Sequence, residues 1–203
     1  MKKRNSIFWI IFAVISLFYI VMIIDLIISG NPIDLFWACY IAIPLILLGL
    51  IKKNSNLILS QVILLAINDL VWIFDFACLL ILGHPVIGIN QVEIFPVQTW
   101  IEKLGNIQHL FIVPLSLLAL SILKTKRNYK VLLLAFLEMS IFFVATLLLV
   151  PSGEAANCVH QTCIGIQLNF LPYPVVWFLL TFGFITVSYL IITSLPVFKK
   201  KKN

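Results

Sequence analysis

Charge is what this sequence has least of. Lys, Arg, Asp and Glu make up 11% of its 203 residues, while 62% are hydrophobic. Soluble domains run at about 25% and about 45–50% respectively, so an ordinary soluble domain is excluded; a mean hydropathy of +1.12 agrees. Glycine-built signatures are missing too: the chain holds no G-x-x-x-x-G-K-[ST], no G-x-G-x-x-G and no G-x-S-x-G. That removes support for an ATP-driven pump, a Rossmann-type dinucleotide reductase and an esterase with a nucleophile elbow. No heptad repeat or long soluble tail offers a scaffold for soluble partners.

What the sequence does contain is long apolar runs. Six of them, at 6–29, 35–51, 57–82, 107–123, 131–150 and 175–195, reach the roughly 17–25 residues that cross a hydrocarbon core as helices. Helices are required because hydrocarbon offers no partner to free backbone N–H and C=O groups. A β-barrel is excluded, since the runs are continuously apolar rather than alternating. The expected fold is therefore all-α: one polytopic membrane domain over 1–203, a bundle of six transmembrane helices in a lipid bilayer. Pro44 and Pro114 fall inside the two shortest runs and predict kinks there. The first run is far longer than the h-region of a signal peptide, about 7–15 residues, and reads as a retained span.

The net charge of +6 does not point to nucleic acid, because the basic residues sit in short clusters between the apolar runs. Under six crossings, every Lys and Arg except Lys103 falls on one side: the N-terminal residues 2–4, loop 52–56, loop 124–130 and the C-terminal lysines. Positive-inside bias then places both termini in the cytoplasm of a cell membrane. The long connections 83–106 and 151–174 fall outside, and connections of that length are usually functional. Gln98 to Gly105 reads as a short interfacial helix, with Trp100, Ile101 and Leu104 toward lipid.

Four acidic residues, Asp25, Asp69, Asp75 and Glu138, fall inside spans that contain no Lys or Arg to pair with them. An ionisable side chain at mid-helix costs roughly 2.5–3.5 kcal/mol on insertion scales and marks a site by default. Asp25 lies near its outer helix end and is explained by reaching the interface. The third run is more informative. Gln61, Asn68 and Asp75 stand seven residues apart, on one side of a helix turning about 100° per residue, with Trp72 nearby and Asp69 about 100° around. Such a polar stripe faces the bundle interior or a wet cavity; the competing reading is hydrogen-bonded glue between helices.

Three histidines complete the polar set, all in the outer half: His84, His109 and His160. With Asp75 they are a weak candidate zinc constellation, unsupported by any H-E-x-x-H spacing. Cys158 and Cys163 flank His160 on the side expected to be oxidising, where a disulfide is the leading reading and metal or redox chemistry the alternatives. Cys39 and Cys78 read as buried free thiols.

Three functional classes stay open. One is a small membrane enzyme or binding protein for a lipid or isoprenoid-like substrate. Its catalytic candidates are Asp69, Asp75, Asn68, His84 and His109; Gln61, Trp72 and Glu138 contribute to binding. A second is a proton- or cation-coupled transporter of a small molecule, although this short chain leaves little room for alternating access unless it forms a homo-oligomer. The third is a non-catalytic accessory protein. The outer clustering of His, Cys and long loops favours the first.

Overall fold

The computed structural model describes residues 2–152, 156–160 and 172–198. Among them every regular element is helical. Helix α1 (Lys2–Ser29) ends at Gly30, and a 3-10 turn over Pro32–Phe36 leads into α2 (Ala38–Ile51). Helix α3 (Ser55–Leu82) follows, then the four-residue α4 (Asn90–Glu93) and α5 (Trp100–Ile107). A 3-10 turn over Gln108–Leu110 joins α5 to α6 (Ile112–Leu123), and α7 (Lys130–Leu149) and α8 (Tyr173–Ser194) complete the bundle.

Among the described residues, four helical segments are long and apolar enough to cross a membrane: Asn5–Ser29, Ser55–Leu82, Lys130–Leu149 and Tyr173–Ser194. A fifth exists if the pair Trp100–Leu110 and Ile112–Leu123, bent by 43°, is one span. The expected count of six is thus not reached, and the two shortest runs are where it fails. Helix α2 has 14 residues, about 21 Å at 1.5 Å per residue, against a core of about 30 Å. Its apolar run is spent partly on the 3-10 turn that Pro32 opens and the Asn31 side chain caps, accepting from the Ile33 N–H at 3.3 Å. The expected span at 107–123 is broken because the Pro114 ring would collide with the Leu110 carbonyl in a continuous α-helix.

Helix α3 is the centre. Of its most hydropathic window 61% is buried, against 22–33% for the other three long helices, and it packs on α2, α6, α7 and α8. At its start Asn54 accepts hydrogen bonds from the N–H groups of Asn56 and Leu57. Gly49 lets α2 approach closely there: a Cβ at that position would stand 2.7 Å from Ile58 Cγ1. The outward surfaces of α1, α3, α7 and α8 are apolar, with Leu17, Ile27, Leu70, Leu137, Ile141, Leu179 and Leu190 among their exposed side chains. Soluble monomers rarely expose such continuous apolar surface; these helices mark a membrane protein.

Candidate functional site

Around the end of the bundle where α1 stops and α2 begins, α5 lies against α1. Its start is fixed by a capping box in which Thr99 and Glu102 exchange side-chain and backbone hydrogen bonds. Trp100 and Leu104 are exposed, as expected for an interfacial helix. The opposite face carries Glu102, Gly105 and Asn106, and with Gln98 and His109 these line a cavity of about 270 Å³. Asp25 of α1, Asp34 and Trp37 before α2, and Cys39 and Tyr40 at its start complete the wall. Gly105 faces α1 at ordinary contact distance: a Cβ there would stand 3.9 Å from Asp25 Oδ2. The carboxylates of Glu102 and Asp34 both act electrostatically on Asp25, so the cavity mouth is acidic.

Below this mouth lies the pairing that joins α3 to the α5–α6 bend. His109 Nδ1 stands 2.8 Å from Asp69 Oδ1, with side chains 14% and 4% exposed. With a carboxylate as acceptor, Nδ1 is the donor. Trp72 flanks the ring: its indole lies 5.0 Å from the imidazole, tilted by 30°, and stacks on Phe76 at 4.9 Å. The orientation of the imidazole is thus held by Asp69 and Trp72, and the ring forms part of the cavity wall. Asp69 Oδ2 and the buried Gln108 Oε1 have no hydrogen-bond partner among the described residues. Unpaired buried acceptors are costly, and Gln108, like His109, lines the cavity.

The remaining sequence candidates are placed elsewhere. Asp75 is fully buried, and its carboxylate takes three backbone hydrogen bonds: Oδ1 from the N–H groups of Val86 and Ile87, each at 2.7 Å, and Oδ2 from Ile89 at 2.8 Å. It therefore organises the turn after α3. Gln61 Nε2 donates to Glu138 Oε2 at 2.8 Å and to Ser60 Oγ at 3.0 Å, clipping α3 to α7. Asn68 is exposed on the outside of α3, so the stripe drawn through Gln61, Asn68 and Asp75 is not a continuous cavity lining. Its register was right for Gln61 and Asp75, both buried, but the bundle covers them from different elements and leaves the gap at Asn68.

His84 is exposed, with Nδ1 3.1 Å from Pro85 O, and His160 Nε2 donates to Val150 O at 2.9 Å. The three histidines do not converge, and among the described residues no group of three or more His, Cys, Asp or Glu is placed to hold a metal. Cys158 is disulfide-bonded and its carbonyl accepts from the Tyr173 hydroxyl; Cys163, its expected partner, lies outside the described residues. Of the cavity's own acids, sequence reasoning singled out Asp25 but explained it by reach to the interface, and gave Asp34 and Glu102, outside the spans, no part in a site. A signal was there: Gln98, Glu102, Gly105, Asn106 and His109 recur at helical spacing on one face, opposite Trp100 and Leu104. Neither a family model, nor a curated protein, nor a solved structure matches this chain.

Proposed function

We propose that this protein is a small membrane enzyme that performs acid–base chemistry on a lipid-phase substrate, with His109 as the proton-transfer group and Asp69 as the residue that orients it. The observation carrying this reading is the 2.8 Å Asp69–His109 pair, whose imidazole forms part of a cavity wall. A buried carboxylate holding one imidazole nitrogen, while the other remains a base, is the arrangement that general acid–base catalysis requires. A bundle this hydrophobic draws its substrate from lipid, and the cavity beside the interfacial α5 lies where a lipid's polar part resides.

The topology belonging to this reading has six crossings: α2 with its preceding 3-10 turn counts as one, and the bent α5–α6 pair as another. Both lysine-rich termini are then cytoplasmic and the cavity opens on the extracytoplasmic side, where the Cys158–Cys163 pair forms. Reporter fusions in 124–130 and at the C-terminus are expected to read cytoplasmic, and fusions in 83–99 extracytoplasmic. The functional test compares membranes carrying wild-type protein, Asp69→Asn and His109→Ala, with lipid products followed by mass spectrometry. Loss of a general base costs about 10²–10⁴-fold in rate. Products formed equally by wild type and His109→Ala refute the reading.

A further inference from the structure

The cavity that His109 helps to wall is rich in acceptors and poor in cations. Carboxylates reach it from three elements: Asp25 from α1, Asp34 from the 3-10 turn before α2, and Glu102 from α5. Among the described residues that line it, none is Lys or Arg. Lys103, the neighbour of Glu102, is engaged elsewhere: its Nζ donates to Pro96 O at 3.1 Å and lies over the rings of Phe95 and Trp100. A cluster of carboxylates is not by itself a binding site, and Gln108 adds an independent sign of a ligand. It is 3% exposed and lines this cavity, yet its Oε1 has no hydrogen-bond partner among the described residues. Folded proteins leave few buried polar atoms in that state.

The acceptors lie close along one line. Glu102, Gly105 and Gln108 stand three residues apart, on one side of α5 and of the turn that continues it, where side chains one turn apart are neighbours at about 5–6 Å between Cβ atoms. Asp25 Oδ2 lies over the middle of that line, 3.9 Å from where a Cβ on Gly105 would stand. We infer that this cavity binds a protonated primary amine, held by the carboxylates of Asp25 and Glu102 with the Gln108 carbonyl as a neutral acceptor. As the substrate class of the site, which rests on the acid–base reading of His109, this means a substrate bearing that amine.

Other cations fit less well. A quaternary ammonium carries the charge but has no N–H to give to Gln108 Oε1 or to a carboxylate. A metal ion would compete for oxygens already in use: Glu102 Oε2 accepts from the Thr99 N–H at 2.5 Å, and Asp34 Oδ1 from Asn31 Nδ2 at 3.4 Å. Among the described residues no group of three or more His, Cys, Asp or Glu is placed to hold one. The volume, about 270 Å³, is at the small end for a ligand pocket, about 300–1,000 Å³. It suits an aminoethyl group and its linkage rather than a whole lipid. Such an amine belongs to a phospholipid headgroup or to a soluble molecule, and the two share the chemistry that this wall recognises.

The test titrates the full-length protein in detergent with four probes: ethanolamine, choline, and short-chain phosphatidylethanolamine and phosphatidylcholine. Melting temperature is read for each, since a ligand of the folded state raises it by mass action, and bound lipid is counted by native mass spectrometry. The expected result is saturable binding of an ethanolamine compound at least about tenfold tighter than of its choline counterpart, which cannot make the charge-assisted hydrogen bonds. Phosphatidylethanolamine bound more tightly than ethanolamine assigns the amine to a lipid headgroup, and the reverse assigns it to a soluble molecule. Glu102→Gln keeps a residue that serves the capping box; this variant and Asp25→Asn each weaken binding by at least about tenfold. The comparison of ethanolamine with choline compounds in the wild type does not depend on how any variant folds. Equal affinity for the two kinds, no binding of either ethanolamine compound, or unchanged binding in Asp25→Asn or Glu102→Gln overturns the inference. None of these results touches the acid–base reading, which is decided by the lipid products of His109→Ala. Equal products from that variant and the wild type remove the acid–base reading and leave the amine site standing.

Discussion

Replacing Asp75 by Asn separates a structural carboxylate from a catalytic one. The aspartate is fully buried and receives the N–H groups of Val86, Ile87 and Ile89 at 2.7, 2.7 and 2.8 Å. Asparagine keeps the shape but offers one oxygen. Placed toward Val86 and Ile87, that oxygen exchanges two charge-assisted bonds for neutral ones, and its NH2 then confronts the Ile89 N–H, donor against donor. Hydrogen bonds to charged groups contribute about 1.5–3 kcal/mol and neutral ones about 0.5–1.5, with about 1–3 kcal/mol for a donor left unsatisfied. The connection is only partly buried, so water recovers some of this loss, and the expected cost is about 2–4 kcal/mol. At roughly 2–4 °C per kcal/mol for a chain of this size, the melting temperature in detergent falls by about 4–16 °C. Asp75→Asn retains any lipid turnover at temperatures where it is folded. A variant that melts with the wild type yet has lost turnover refutes the assignment of Asp75 to the turn and returns it to the chemistry.

The same coordinates set three further expectations. Gly49→Ala places a Cβ 2.7 Å from Ile58 Cγ1 and 3.3 Å from Asn54 O; overpacking of this kind costs about 1–3 kcal/mol, read as a lowered melting temperature, and an unchanged one refutes the close α2–α3 approach. Gln61→Leu strands the Glu138 carboxyl that now accepts at 2.8 Å and destabilises, whereas Gln61→Leu combined with Glu138→Leu restores most of the loss. A double-mutant cycle should give a coupling of about 0.6–2 kcal/mol, and zero coupling means that the clip contributes nothing. Asn68→Leu, on the exposed side of α3, changes stability by no more than about 0.5 kcal/mol and leaves turnover intact; a large loss of turnover would restore Asn68 to the site.

The long apolar helices were legible because they rest on composition and length alone. The runs at 6–29, 57–82, 131–150 and 175–195 became α1, α3, α7 and α8 with ends shifted by at most two residues, except that α1 begins four residues earlier, at Lys2. The runs containing Pro44 and Pro114 were misjudged as simple spans because hydropathy counts residues and not the way backbone is spent. A 3-10 turn at Pro32 consumed one, and a bend at 108–111 divided the other. Within the site, Asp69 and His109 were both named, but their pairing was not. Periodicity predicts which residues share a helix face and is silent on which face of a second helix meets it. Asp75 was misread for the same reason: its partners are backbone N–H groups of the following connection, and backbone has no sequence signature.

The polar residues of α3 acquire different roles from what each is left facing. Near its start Gln61 meets a side chain of α7, and near its end Asp75 meets three backbone donors. Both arrangements hold the helix in place, one against a neighbouring helix and the other against its own continuation. Asp69, between them, meets an imidazole that lines a cavity, and one of its oxygens has no partner among the described residues. Gln61 and Glu138 form a clip between two helices, whereas the partner of Asp69 also forms part of a cavity wall. Anchoring α3 at Gln61 and at Asp75 instead fixes the height of Asp69 between them. A hydrogen bond of 2.8 Å to His109 survives only if that height is held to a few tenths of an ångström. On the acid–base reading proposed above, the flanking residues contribute by keeping still the one that takes part in the chemistry.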